Sequence, residues 1–173
     1  MSTLITTTVQ GVQNIKYDAS TTAMTIDSNG RMGVSNPIYV WARRSSGNLS
    51  ADGNIVWDTE MIDTASAYNN TTGIFTCPRD GHYEVHWHYL HRFNGYIRTT
   101  LLKNGSYVWG SSSATVLYSN NTDSGDEQQV SAFGIVNCSA NDTLYIVISG
   151  RSGAADIYGS SNSHNGFMVK FLG

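Results

Sequence analysis

YNNTTGIFTCPRDGHYEVHWHYLHR, residues Tyr68 to Arg92, is the stretch whose reading decides the fold. Two runs that alternate apolar and polar residues flank Pro78-Arg79-Asp80-Gly81. There proline presets one φ angle and glycine accepts a φ that most residues refuse. The pattern predicts two β-strands joined by a tight turn. In the second run Tyr83, Val85, Trp87 and Tyr89 fall on one face and His82, Glu84, His86 and His88 on the other, because side chains alternate along a strand. The first set reads as core; the histidine set points elsewhere.

Downstream, Ile97 to Lys103 predicts a further strand, and Asn104-Gly105 supplies the central residues of a hairpin into Tyr107-Val108-Trp109. Val116 to Tyr118 reads as a short strand before an exposed loop from Ser119 to Asp126, and Val130 to Val136 alternates again. Cys138 to Asp142 turns the chain into Thr143-Leu144-Tyr145-Ile146-Val147-Ile148, which is apolar on both faces. Arg151 to Asn165 reads as a loop with one apolar pair, Ile157-Tyr158, and Gly166 to Leu172 closes the chain as a strand.

Upstream, Ile38 to Ala42 and Asn54 to Trp57 read as strands separated by a turn-rich loop. Pro37 marks the expected boundary, since a proline opening a strand costs no ladder hydrogen bond. The division is therefore an N-terminal segment, residues 1–36, and a main domain, residues 37–173. The first segment carries too few large apolar residues for a core of its own. Within it Ala23 to Val34 alternates into Asn29-Gly30, a hairpin signal. No window of ten or more residues holds a helical period with caps. The fold class is all-β, a sandwich or barrel of short strands.

Only 13 % of the residues are charged, about half the usual share, so charge is not how this surface binds. A net charge of -3 without a basic run argues against a nucleic-acid groove. No apolar run approaches the ~20 residues of a membrane helix, and MSTLITTTVQ lacks the blocks of a signal peptide. The expectation is a soluble protein without membrane insertion that is not exported by a standard route. The N-x-S/T triplets, Asn48 and Asn69 among them, then follow from an Asn- and Thr-rich composition rather than from glycosylation. Two cysteines, Cys77 and Cys138, make neither a disulfide scaffold nor a metal spacing. Burial as small apolar residues suits both, and whether they meet stays open.

The string Tyr68, Thr72, Gly73, Phe75, Thr76, Cys77, Pro78, Gly81 and Tyr83 resembles the Y-x-x-x-T-G-x-F-T-[CV]-P-x-x-G-x-Y-x-F motif of the globular head of complement subcomponent C1q, a relative of the tumour necrosis factor jelly roll, with Val85 in place of the usual aromatic. Leu101-Leu102-Lys103-Asn104-Gly105 is similar to that family's L-x-K-N-G hairpin. Within Ala140 to Tyr145, Asn141-Asp142-Thr143-Leu144-Tyr145 stands where the family has G-D-x-[VL]-[WY], with Asn141 in place of glycine, and Gly166-Phe167-Met168-Val169 resembles its closing strand. The resemblance spans Pro37 to Gly173. It implies a jelly-roll β-sandwich that assembles as a homotrimer and binds through exposed loops. Ala23 to Val34 separately resembles the A-[LM]-T-I-D-S-x-G-R-[VM] segments of bacteriophage tail-fibre and head-fibre proteins, which implies a short extended segment on a virus particle.

Strands apolar on both faces need a cover, and cyclic self-association supplies one. The expected trimer interface is Leu144, Ile146, Ile148, Phe167, Val169 and Phe171. His82, Glu84, His86 and His88 admit three readings: a metal site on a three-fold axis, a pH-sensitive interface, or a polar strand face. Tyr118, Asp126, Tyr158 and Asn162 are the candidate ligand residues of the loops, since tyrosine stacks on sugar or protein while serine and asparagine adapt their hydrogen bonds. Asp123, Asp126 and Glu127 lack the density of a calcium loop. No catalytic motif is present, so no enzyme and no cofactor is expected. The sequence reads as a structural bacteriophage virion protein: a trimeric short fibre whose C-terminal head contacts a host glycan or protein. It would be assembled in the host cytoplasm and anchored to other virion proteins through residues 1–36. A capsid decoration protein and a non-viral recognition module are the alternatives.

Overall fold

The computed structural model describes residues 14–16, 22–34, 37–109, 117–123, 125–159 and 164–173. The chain separates into two units, Met1–Pro37 and Ile38–Gly173. In the first, β1 (Asn14–Lys16), β2 (Thr22–Ile26) and β3 (Met32–Val34) form an antiparallel sheet in that order. The hairpin at Asn29-Gly30 pairs Ile26 with Met32. Asp27 closes its loop, with Oδ1 accepting from the amides of Asn29 at 2.8 Å and Arg31 at 2.9 Å, the side-chain-to-backbone bonding that makes aspartate a turn former.

The second unit runs β4 (Tyr39–Arg43), β5 (Gly53–Asn54), β6 (Thr59–Asp63), β7 (Tyr68–Asn69), β8 (Ile74–Thr76), β9 (Gly81–Arg92), β10 (Gly95–Lys103), β11 (Ser106–Tyr107), β12 (Leu117–Asn121), β13 (Glu127–Cys138), β14 (Thr143–Arg151), β15 (Asp156–Ile157) and β16 (Gly166–Phe171). A 7-stranded sheet follows the order β11-β10-β14-β8-β7, with β12 on β10 and β5 on β14. A 6-stranded sheet follows β13-β9-β16-β4-β6, with β15 on β9. Every pairing is antiparallel. The described residues contain no helix, so the fold is the expected all-β sandwich.

β9 alternates as its sequence predicts: Tyr83, Val85, Trp87 and Tyr89 are fully buried. They meet Ile97, Leu101, Leu144 and Ile146 of the facing sheet, also at 0 % exposure. Ring contacts close the middle. Trp57 stacks on Phe167 at 6.3 Å, and Phe75 meets Tyr83 edge-on at 5.7 Å. The polar tips that come inward find partners. Trp87 Nε1 donates to Thr99 Oγ1 across the two sheets at 2.9 Å. Tyr68 Oη accepts from the Trp57 amide and donates to its carbonyl, both at 3.1 Å.

Five segments depart from the sequence reading. The run before Pro78 is not one strand but two, β7 and β8, paired with each other across a turn. The expected loop from Arg151 holds the buried strand β15, which pairs with β9. Thr59–Asp63 is a strand although its middle three residues are all exposed, because an edge strand needs only one partner and β4 supplies it. Of Asn54 to Trp57, only Asn54 enters a named strand. Ile55 and Trp57 are nonetheless buried, and the Ile55 amide bonds the Ile146 carbonyl at 2.8 Å. The expected loop at Ser119 begins as strand, since Ser119 and Asn121 are buried on partners from β9. Ser119 Oγ lies 2.8 Å from His91 Nδ1, and Asn121 Nδ2 donates to the His91 carbonyl at 3.3 Å.

The turns at one end of the sandwich are tied through Asp142. Its Oδ1 accepts from Asn104 Nδ2 at 2.6 Å, its Oδ2 from the Ser139 amide at 2.8 Å, and Lys103 Nζ pairs with it at 3.1 Å. Asn104 in turn takes the Thr143 amide at 2.8 Å. The Asn104 amide first, then the Ser139 amide and Lys103, hold the Asp142 carboxyl down at about 2. Asn141 sits beside it at a φ of +71°, the left-handed conformation that asparagine tolerates better than most residues. That is why asparagine can stand here in place of glycine.

Candidate functional site

The outer face of the 6-stranded sheet is assembled by register. Directly opposed residues of antiparallel strands share a face, so Phe133 of β13 lies beside His86 of β9, His86 beside Met168 of β16, Met168 beside Trp41 of β4, and Trp41 beside Ile62 of β6. With strands ~4.8 Å apart, this row crosses roughly 19 Å of sheet. All of it is apolar except His86. Phe133 is 71 % exposed and Ile62 40 %, while Met168 and Trp41 are half-buried. A second row sets Ile135, 53 % exposed, beside Glu84, then Lys170 and Tyr39.

A cleft of about 360 Å3 continues the surface past the β13 edge, lined by Trp109, Tyr107 and Lys103 opposite Ile135 and Asn137. Trp109 reaches it because Gly134 has no side chain: a Cβ there would collide with the indole ring. Exposed large apolar side chains grouped in this way mark a face that something covers.

The four residues of the histidine face lie where alternation puts them, on this outer side, with His82 exposed and Glu84, His86 and His88 half-buried. The rings of His86 and His88 are 5.7 Å apart. The His88 ring lies over Gly166, where an added Cβ would come within 2.6 Å of it. Among the described residues no group of three or more His, Cys, Asp or Glu side chains is placed to hold a metal ion. Strand alternation spreads His82, Glu84, His86 and His88 at ~6 to 7 Å steps, so they do not converge within one chain.

The residues expected at the trimer interface are corrected by the structure. Leu144, Ile146, Ile148, Phe167 and Val169 are exposed by 3 % or less in a single chain. Phe171 turns the same way, 5.1 Å from the Tyr83 ring. All six face the sandwich's own core, because the pleat sends these alternate positions inward on β14 and β16. The outward set on β16 is Met168 and Lys170.

The loop candidates divide into two aromatic groups. Tyr118 is 52 % exposed on β12, its ring stacked on Tyr96 of β10 at 5.8 Å and 27°. Tyr158 follows β15, its ring 4.2 Å from the Arg92 guanidinium and 5.9 Å from His164. Asp126 is exposed. Its backbone braces the approach to β13, the amide bonding the Asp123 carbonyl at 3.3 Å and the carbonyl accepting from the Phe93 amide at 3.2 Å. Asn162 lies outside the described residues.

Burial pushes the Cys77 thiol up, and Cys138 beside it is raised for the same reason. Both are free and buried, and each lies near enough to the other to act on its thiol. His91, fully buried behind β12, is held below its ordinary range by burial, against the opposing pull of Asp156.

Sequence reasoning missed Trp41, Ile62, Phe133, Ile135 and Met168 on one face, and Tyr96 and Arg98 on the other. Alternation was available for each, but only register shows that the first five align. No described helix is long and apolar enough to cross a membrane.

The pattern that defines the C1q domain matches residues 39–169. Among solved structures, the globular domain of zebrafish complement 1qA protein superposes with a TM-score of 0.59 at 17 % identity, covering 79 % of this chain and 96 % of that one. Murine APRIL gives 0.57 at 10 % identity, covering 79 % and 99 %. The Eiger TNF of S. frugiperda gives 0.54 at 15 % identity, covering 80 % and 94 %. No curated protein sequence matches the chain.

Proposed function

The chain belongs to the C1q domain family, and from that premise we propose that it is a homotrimeric recognition head in which each copy covers the outer face of its neighbour's 6-stranded sheet. The observation that carries this reading is the row Phe133, His86, Met168, Trp41 and Ile62, whose two ends a lone chain leaves exposed and whose middle it leaves half-buried. Closed cyclic symmetry covers such a face on every copy without leaving a free end, and the resemblance to C1q heads favours three copies. Burying apolar area at ~25 cal/mol per Å2 supplies the driving force, from which the cost of association is subtracted.

Binding then falls to the surfaces that assembly leaves open: the loop ends and the outer face of the 7-stranded sheet. Residues 1–36 carry the head on a bacteriophage particle as a short fibre, a reading supported by the fibre-like string Ala23 to Val34. The experiment is purification of particles made with full-length chain and with residues 1–36 deleted. The full chain is expected on particles, at the tail for an adhesive fibre or at the shell for a decoration protein. The deleted chain is expected to be absent from particles yet still trimeric. A full-length chain absent from particles contradicts the viral reading and leaves a free recognition module.

A further inference from the structure

Two arginines flank the β9–β10 turn and are built alike up to one point. Arg92 has its guanidinium carbon 4.7 Å from the Phe93 ring and 4.2 Å from the Tyr158 ring. Its fork is filled by a carboxylate, Nε to Asp156 Oδ1 at 3.2 Å and Nη2 to Oδ2 at 3.1 Å. Arg98 lies 4.9 Å from the Tyr96 ring and 5.7 Å from the Tyr118 ring. No acidic side chain pairs with it among the described residues. Aromatic faces hold both guanidinium groups, but only one has its anion. A ring-held guanidinium has already given up most of its rotamer freedom, so a planar carboxylate arriving at its fork costs little further ordering.

The surroundings say what carries that carboxylate. Tyr118 lies opposite Arg98 on one side and Gly150 on the other. A Cβ at Gly150 would sit 3.8 Å from Arg98 Cδ and 3.8 Å from the Tyr96 ring, so glycine keeps the face flat and open. Tyr118 is 52 % exposed and offers a ring face beside the cation. Asn120, exposed and opposite Tyr96, adds an amide. A flat aromatic platform with an open cation and an amide suits a pyranose ring bearing an acid group, its C–H face on tyrosine and its carboxylate on arginine.

We propose that Tyr96, Arg98 and Tyr118 form a binding site for an acidic saccharide on the outer face of the 7-stranded sheet. The site rests on the reading of the chain as a recognition head and names the chemistry that the head recognises. It lies on the sheet opposite the self-association face, so trimer formation leaves it accessible.

The test is calorimetric titration of the full chain with trigalacturonate. Its methyl ester serves as a ring-matched neutral control and triglutamate as a carboxylate-matched control without a sugar ring, with the mass of the protein measured in the same samples. Trigalacturonate is expected to bind, and both controls to bind at least roughly tenfold more weakly, the size of one charge-assisted pair. Arg98→Gln and Tyr118→Ala should each weaken binding by about the same factor, while Tyr118→Phe retains it. Absence of trigalacturonate binding, equal binding of the ester or of triglutamate, or indifference to Arg98→Gln overturns the site. A trimeric mass without binding sinks the site alone; a monomeric mass with trigalacturonate bound sinks the assembly and leaves the site standing.

Discussion

The two outer faces of this sandwich differ in the kind of residue they show to water. The 6-stranded sheet presents an apolar row ending in Phe133 at 71 % exposure, with Ile135 at 53 % beside it. The 7-stranded sheet presents tyrosines around a cation, Tyr96 and Tyr118 against Arg98. Phenylalanine and isoleucine gain only by leaving water, and a flat face of them is best matched by another protein surface. Tyrosine and arginine gain from oriented contacts and remain soluble while waiting for them. On the proposed reading the first face serves assembly and the second recognition.

The largest effect should come from charging the first face. Phe133→Lys with Ile135→Lys is expected to weaken association at least roughly a thousandfold, since two charges must then be desolvated within the contact. Sedimentation should show a folded monomer. The same pair of changes should leave trigalacturonate binding at Arg98 within about twofold per chain, the two faces sharing no side chain. If sedimentation instead shows a stable trimer, the row is not the contact.

Ile146→Ala separates core from face. Ile146 is fully buried inside one chain, so the change should cost about 3 kcal/mol of stability in chemical denaturation while leaving the mass of the folded fraction unchanged. Loss of assembly without loss of stability would return Ile146 to an interface.

Gly134→Ala lies between these two cases. A methyl group there meets the Trp109 ring and should displace the indole from its cleft at a cost of about 1 to 3 kcal/mol. Tryptophan fluorescence and denaturation should report it together.

The smallest effect is acid sensitivity, which fixes the pH range for comparing the faces. His91 is held below its ordinary value of 6.5, so as pH falls below that value the unfolded chain takes up a proton that the folded chain refuses. Stability should decline from there down to the folded-state value and be flat above. Asp142 is held down at about 2 against 3.8. Its contribution is present above 3.8 and is lost as pH falls from 3.8 toward 2. Thermal denaturation between pH 8 and 2 in roughly half-unit steps should show both declines. His91→Gln should remove the upper one, and an unchanged upper decline would contradict that assignment.

Much of this architecture was legible from residue types. Tyr83, Val85, Trp87 and Tyr89 could only be a buried face, and Asn104-Gly105 could only be a tight hairpin, with both residues at positive φ. What was not legible is which face of a doubly apolar strand the chain keeps for itself. Leu144, Ile146 and Ile148 alternate with Tyr145 and Val147, and period alone gives no reason to send one set inward. The inward set is fixed by pairing with β10, whose Ile97, Thr99 and Leu101 are buried beside it.

The row across the 6-stranded sheet was invisible for a related reason. Trp41, Ile62, His86, Phe133 and Met168 are far apart in sequence and meet only through the registers of four strand pairs. Ser119 and Asn121 resemble a loop in the sequence, because polar residues in a strand look like loop until their partners on β9 are known. Half of the Arg98 platform is legible in the sequence: Tyr118 stands out as a loop aromatic, but Tyr96 and Arg98 join it only through the β10–β12 ladder.

Hydroxyl-radical footprinting of the intact protein, assembled at high concentration and then diluted, tests the central claim most directly. Trp41, Phe133, Ile135 and Met168 should be protected when concentrated and become reactive on dilution, while Tyr96 and Tyr118 react alike under both conditions. Equal reactivity of Phe133 and Met168 at every concentration, or protection of the tyrosines in their place, would contradict it.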